Sequence, residues 1–114
     1  MENSILISTK QVLGVGEGYT VFDLDIMTHI NAAFSVINQI GVGNPSGFFI
    51  EGETEVWADI GVPNNQLNLV KTYILLKVRM LFDPPATGFL IDAMTKQISE
   101  YEWRLNIFRE AEIA

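Results

Sequence analysis

The 114-residue chain has no cysteine and a single histidine, so it offers neither a disulfide framework nor the thiolates of a structural zinc site. Its stability has to come from packing, a condition compatible with a reducing cytosol. Cations are also scarce: seven Lys and Arg stand against fourteen Asp and Glu, giving a formal charge of −7 and a pI near 4.5. That balance argues against gripping DNA or RNA by its phosphates. From Gln11 to Val70 there is no Lys or Arg, whereas Glu17, Asp23, Asp25, Glu51, Glu53, Glu55 and Asp59 all fall there. Nearly all the positive charge comes later, at Lys71, Lys77, Arg79, Lys96, Arg104 and Arg109. A chain divided in this way can meet copies of itself head to tail. No apolar run reaches the roughly 18 residues of a membrane-spanning helix. Met1-Glu2-Asn3-Ser4 lacks the positive start of a signal peptide, so a soluble protein without membrane contact is expected.

What is present is enough apolar surface for one packed interior. Apolar residues make up 48% and charged residues 18%, and the length suits a single domain over 1–114. Ser4 or Asn3 can cap a short helix through Leu13, with Gly14 at its left-handed stop. A longer helix is predicted from Thr20 or Asp23 to Ile40, because Phe22, Ile26, Ile30, Phe34, Ile37 and Ile40 recur at helical spacing and Gly41 follows. Residues 41–63 form a glycine-rich insertion, punctuated by Gly41, Gly43, Pro45, Gly47, Gly52, Gly61 and Pro63. Within it, Phe48 to Trp57 can form a short hairpin, or Thr54 to Ile60 a helical turn capped by Thr54; the second is favoured. Asn64 or Asn65 then caps a helix through Phe82 that is apolar almost all round and therefore central. Asp83-Pro84-Pro85 ends it. A last helix starts near Thr87 or Gly88 and buries Leu90, Ile91, Met94, Ile98, Tyr101, Leu105 and Phe108. The fold class is mainly α: a small bundle of three long helices plus a short N-terminal one, with the irregular insertion between the second and third long elements.

Catalytic constellations are hard to assemble from these residues. Asp25 and His29 share a helix face and offer two metal ligands or a tautomer-fixing pair, but further ligands are scarce, which favours an ordinary surface or interface pair. Gly14-Val15-Gly16-Glu17-Gly18 follows a helix, lacks a lysine and does not fit Gly-x-Gly-x-x-Gly, so it reads as a helix stop and turn. Glu51, Glu53 and Glu55 lack the pattern of a calcium loop and read as a solvated acidic edge. Glu100 and Glu102, two apart, do not face each other. No catalytic residue, cofactor or metal is expected. The aromatics say more: Phe48, Phe49 and Trp57 must fold back over the bundle or meet a partner, and Trp103 beside Arg104 faces the same choice.

Several runs together resemble the small head-to-tail connector, or adaptor, proteins of long-tailed bacteriophages. They are Phe22-Asp23-Leu24-Asp25-Ile26, Ile30-Asn31, Gly41-Val42-Gly43, Gly47-Phe48-Phe49-Ile50, Leu67-Asn68-Leu69-Val70-Lys71-Thr72-Tyr73, Lys77-Val78-Arg79, Leu81-Phe82-Asp83-Pro84-Pro85 and Glu102-Trp103-Arg104-Leu105-Asn106. The resemblance covers essentially the whole chain. It implies a structural virion protein of the head–tail neck, assembled in the host cytoplasm. Twelve copies would form a ring beneath the portal, extend the DNA channel and carry the head-closure or tail component, with DNA passing unbound through the lumen. Ring contacts would then pair Lys71, Lys77, Arg79 or Arg104 with Asp23, Asp25, Glu51 or Glu55 of a neighbour. Phe48, Phe49, Trp57 and Trp103 would serve as apolar anchors, and the end of the last helix, with Arg109, would dock on the portal. The alternative is a small acidic helical regulator that binds a host or phage protein.

Overall fold

A computed structural model describes residues 4–43 and 46–113, with the side chains of the last helix described through residue 108. The expectations at Asn3, Pro45 and the Arg109 side chain lie outside the described residues. Among the described residues the chain is mainly helical, with α1 (Ile5–Leu13), α2 (Asp23–Ile40), α3 (Asn64–Phe82) and α4 (Gly88–Ile113). A single isolated bridge between Ser4 and Val56 is its nearest approach to a sheet.

Helix α1 starts where Ser4 Oγ accepts from the Ile7 N–H, and it stops at Gly14, whose φ of 79° favours a residue without Cβ. Helix α2 departs from expectation at its start. Neither Thr20 nor Asp23 caps it through a side chain; Phe22 occupies the cap position. The Asp23 carboxylate is engaged elsewhere, 2.8 Å from Lys10 Nζ, and Lys10 also donates to the Glu17 carbonyl at 3.1 Å. Lys10 is only 2% exposed, and Glu17 in the connection between α1 and α2, with Asp23 at the start of α2, supplies the oxygens its ammonium needs once it leaves water. Asp23 and Asp25 still face the positive end of the α2 dipole.

Helix α3 begins one residue earlier than expected. Pro63 is its cap, and Asn64 and Asn65 occupy the exposed first turn rather than capping by side chain. It packs on both α2 and α4, and Val70, Tyr73, Ile74 and Val78 are fully buried. The rest of its apolar residues are partly covered, except exposed Leu81. Helix α4 is capped by Thr87 Oγ1, which accepts from the Leu90 N–H at 3.3 Å. Among its described side chains Ile98 and Leu105 are buried, with Ile91, Met94, Tyr101 and Phe108 partly buried on the same face. Leu90, expected inside, is 49% exposed, whereas its neighbour Ile91 is partly buried.

The insertion contributes Val42, Ile50, Trp57 and Ile60 to the core. Of the two expected forms it takes the helical turn rather than the hairpin, but the turn starts later and Val56, not Thr54, is its cap. It is a 3₁₀ turn over Trp57–Ile60, closed by Val56 N–H donating to Asp59 Oδ2 at 3.0 Å and Asp59 N–H donating to the Val56 carbonyl at 2.9 Å.

The buried ammonium gives a direct stability test. Replacing Lys10 with Met keeps the stem and removes the charge, leaving a mostly buried Asp23 carboxylate unpaired. Chemical denaturation should show a loss of about 3–5 kcal/mol. A loss below about 0.5 kcal/mol, the range of ordinary surface changes, would show that the pair is incidental.

Candidate functional site

The sequence places its candidate surface residues on the insertion, on α3 and on α4, and the bundle gives each a different fate. In the insertion, Asn31 on α2 holds the extended segment before Glu51 as a neighbouring strand would. Ile50 N–H donates to Asn31 Oδ1 at 2.8 Å, and Asn31 Nδ2 donates to the Ile50 carbonyl at 3.0 Å. Ser4 Oγ donates to the Glu53 carbonyl at 2.8 Å, and Ile5 N–H, one of the free donors at the start of α1, donates to the Glu55 carbonyl at 3.0 Å. The Glu55 carboxylate accepts from Glu51 N–H at 2.7 Å and Gly52 N–H at 3.3 Å. Its oxygens thus fold the loop, while the Glu51 and Glu53 side chains remain in solvent.

The aromatics divide. Trp57 is buried, and its Nε1 donates to Ser8 Oγ at 2.9 Å, which puts it in the subunit core instead of at a partner. Phe48 is half-buried, edge-on to Phe34 at 5.1 Å. Phe49 and Trp103, by contrast, are 62% and 63% exposed. Trp103 borders an open groove of about 560 Å³ between α2 and α4, shared with Val36, Gln39, Ile40, Glu102 and Asn106.

The cations expected to reach a neighbour largely find partners at home. Lys71 Nζ lies 5.4 Å from the centre of the Trp57 ring, a cation–π arrangement. Arg104 pairs with Glu100 at 2.8 Å, one helical turn back, and Lys77 Nζ is 4.0 Å from Glu102. Asp23 is taken by Lys10. Exposed Arg79, Asp25 and Glu51 have no side-chain partner among the described residues. His29 is half-buried, 6.5 Å from the Phe82 ring centre, and no described contact joins it to Asp25. Among the described residues no group of three or more His, Cys, Asp or Glu is placed to hold a metal, and no helix is long and apolar enough to cross a membrane.

One polar contact has no counterpart among the expected pairs. The Tyr73 hydroxyl, deep in α3, donates to Glu102 Oε2 at 2.7 Å. Burial above all, then the hydrogen bond to Glu102 and its negative charge, push the phenol well above its ordinary value. Glu102 and Tyr73 are on different helices, so no sequence spacing could announce the pair.

The family model for phage connector proteins matches residues 5–112, taking in all four helices and the insertion between them. The chain belongs to the phage connector protein family. The connector is therefore a structural component of the phage head–tail junction, which agrees with the resemblance carried by its motifs. No curated protein and no solved structure matches it. Asn31 and Gly47-Phe48-Phe49-Ile50, both among those motifs, meet in the connector at the Asn31–Ile50 amide pairing.

Two measurements check these contacts. Asn31→Ala strands the Ile50 N–H and C=O, so it should cost about 1–3 kcal/mol and raise hydrogen exchange at the Ile50 amide; unchanged exchange would mean that other contacts hold the segment. Tyr73 favours its neutral form in the fold. Its contribution is therefore complete below the unfolded phenol value of about 10 and is lost as pH rises beyond it. Wild type should lose stability above about pH 10 more steeply than Tyr73→Phe, and parallel curves would exclude the linkage.

Proposed function

We propose that the connector assembles as a ring beneath the portal, extends the DNA channel and presents a platform to the next head-closure or tail component. The family match over residues 5–112 carries this reading. Twelve copies is the number the family resemblance implies. A net charge of −7 supports it, because a wall poor in cations exchanges few counterions with passing DNA and does not hold it. A ring needs heterologous contacts, in which two different surfaces of one subunit meet. Arg79 on α3 is the best-placed free cation for such a contact, with Asp25 or Glu51 of the next subunit as its counterpart and exposed Phe49 as an apolar anchor. The end of α4 is assigned to the portal.

The connector should copurify with particles and form rings seen by negative-stain microscopy when the portal is present. A monomer absent from particles and bound to a host protein would instead establish the regulatory reading. Within the ring model, Arg79→Glu should impair ring formation while shifting monomer stability by no more than about 0.5 kcal/mol, as for other exposed positions. Normal occupancy of necks by this variant would remove Arg79 from the contact.

A further inference from the structure

Helix α4 has a second face that the bundle does not use. Asp92, Ala93, Lys96, Glu100, Trp103 and Arg104 are all exposed, and at 100° per residue they fall in one stripe opposite buried Ile98 and Leu105. Phe89 and Ile107 extend it at either end, to a length of about 27 Å at 1.5 Å per residue. Its charges alternate in sign every four residues, Asp92, Lys96, Glu100, Arg104, and large apolar side chains flank them: Phe89 is 82% exposed, Trp103 63% and Ile107 40%. Pairing within the helix, as in the 2.8 Å Arg104–Glu100 contact, accounts for the charges. It does not account for the apolar side chains left in water at both ends.

We propose that this stripe is a self-complementary surface through which the free protein forms a two-fold dimer of antiparallel α4 helices, centred on the level of Ile98. A half-turn about that level sets Asp92 against the second copy's Arg104 and Lys96 against its Glu100, each twice by symmetry. The same operation brings Phe89 to Ile107 and Trp103 over Ala93, where a small residue leaves room for the indole. Parallel helices in register would oppose like charges at every step. Parallel helices staggered by one turn match charges, but they leave an unmatched charge at each end and forgo the favourable antiparallel dipoles. Two such stripes bury less than the roughly 800 Å² per partner of a standard interface, so the dimer is weak and dissociates on dilution. It belongs to the unassembled protein and does not depend on the ring.

Sedimentation of the full chain over a concentration series at about 0.15 M salt, where long-range repulsion between two acidic chains is screened, tests it. Wild type should show a monomer–dimer equilibrium. Lys96→Glu and Glu100→Lys should each raise the dissociation constant about tenfold or more, because each turns two attractive pairs repulsive. The double variant Lys96→Glu/Glu100→Lys should restore dimerisation, since the two exchanged charges again meet with opposite sign across the two-fold. Trp103→Ala should weaken the dimer without altering the circular dichroism, its side chain lying outside the core. A wild type that stays monomeric at about millimolar concentration overturns the proposal, as does spontaneous assembly beyond a dimer. A double variant no better than the singles overturns it too, because a one-turn parallel stagger would remain mismatched at Asp92 and Arg104.

Discussion

A glycine-rich segment can lie against a hydrophobic core only if something other than a helix or sheet satisfies its backbone. In the connector that constraint organises everything between α2 and α3. Asn31 supplies both halves of a strand-like pairing to Ile50, Ser4 and Ile5 bind the carbonyls of Glu53 and Glu55, and the Glu55 carboxylate closes the bend on itself. With these bonds made, Ile50, Trp57 and Ile60 can be buried against α1, α2 and α3 without stranding polar groups. The fixed path of the segment also decides what stays outside. Phe48 turns in against Phe34 and its neighbour Phe49 turns out. Surface for a partner is thus a by-product of how the insertion is tied down.

Charge follows a similar logic. A chain with few cations uses most of those described inside the subunit, because each lies within reach of an acidic or aromatic group that its own fold brings near. Lys10 is the extreme case: it enters the interior only because Asp23 and the Glu17 carbonyl meet it there. Exposed pairs such as Arg104–Glu100 are worth little to the monomer and can be shared or exchanged at small cost. The buried pair cannot. The cations available to other molecules are therefore those on the outer faces of α3 and α4, and this narrows the broad split between acidic and basic halves to a few positions.

The helices were legible because their signals are local. Ser4 and Gly14, Gly41, and Asp83-Pro84-Pro85 mark boundaries by backbone chemistry alone, and the apolar spacing in α2 names its buried face. The failures come where a distant residue decides. Asp23 does not cap α2, because a lysine from another helix holds its carboxylate. Trp57 goes inward because Ser8, on α1, offers its indole an acceptor. Leu90 fits the apolar period of α4 and yet stays half exposed, while Ile91 beside it is partly buried. At the surface, composition identified the residue types worth watching. Only the fold separates Phe49 and Trp103, which remain exposed, from Phe48 and Trp57, which do not.

The two kinds of self-contact proposed for the connector obey different symmetries, and this has a consequence for assembly. An antiparallel α4 contact is isologous and closes at two copies, whereas a ring requires each subunit to offer two different surfaces to two neighbours. Because the end of α4 is assigned to the portal, a subunit whose α4 is covered by a second copy cannot dock there. The pair must come apart first, so its weakness is a requirement of the scheme. A ring subunit gains two neighbours and a docking partner, and that sum has to exceed one α4 contact at the concentrations of an infected cell. A template that fixes several copies side by side raises their effective concentration for one another and shifts this competition without any new bond. Docking on the template would then compete with dimerisation through α4, and the template would decide where subunits give up the pair.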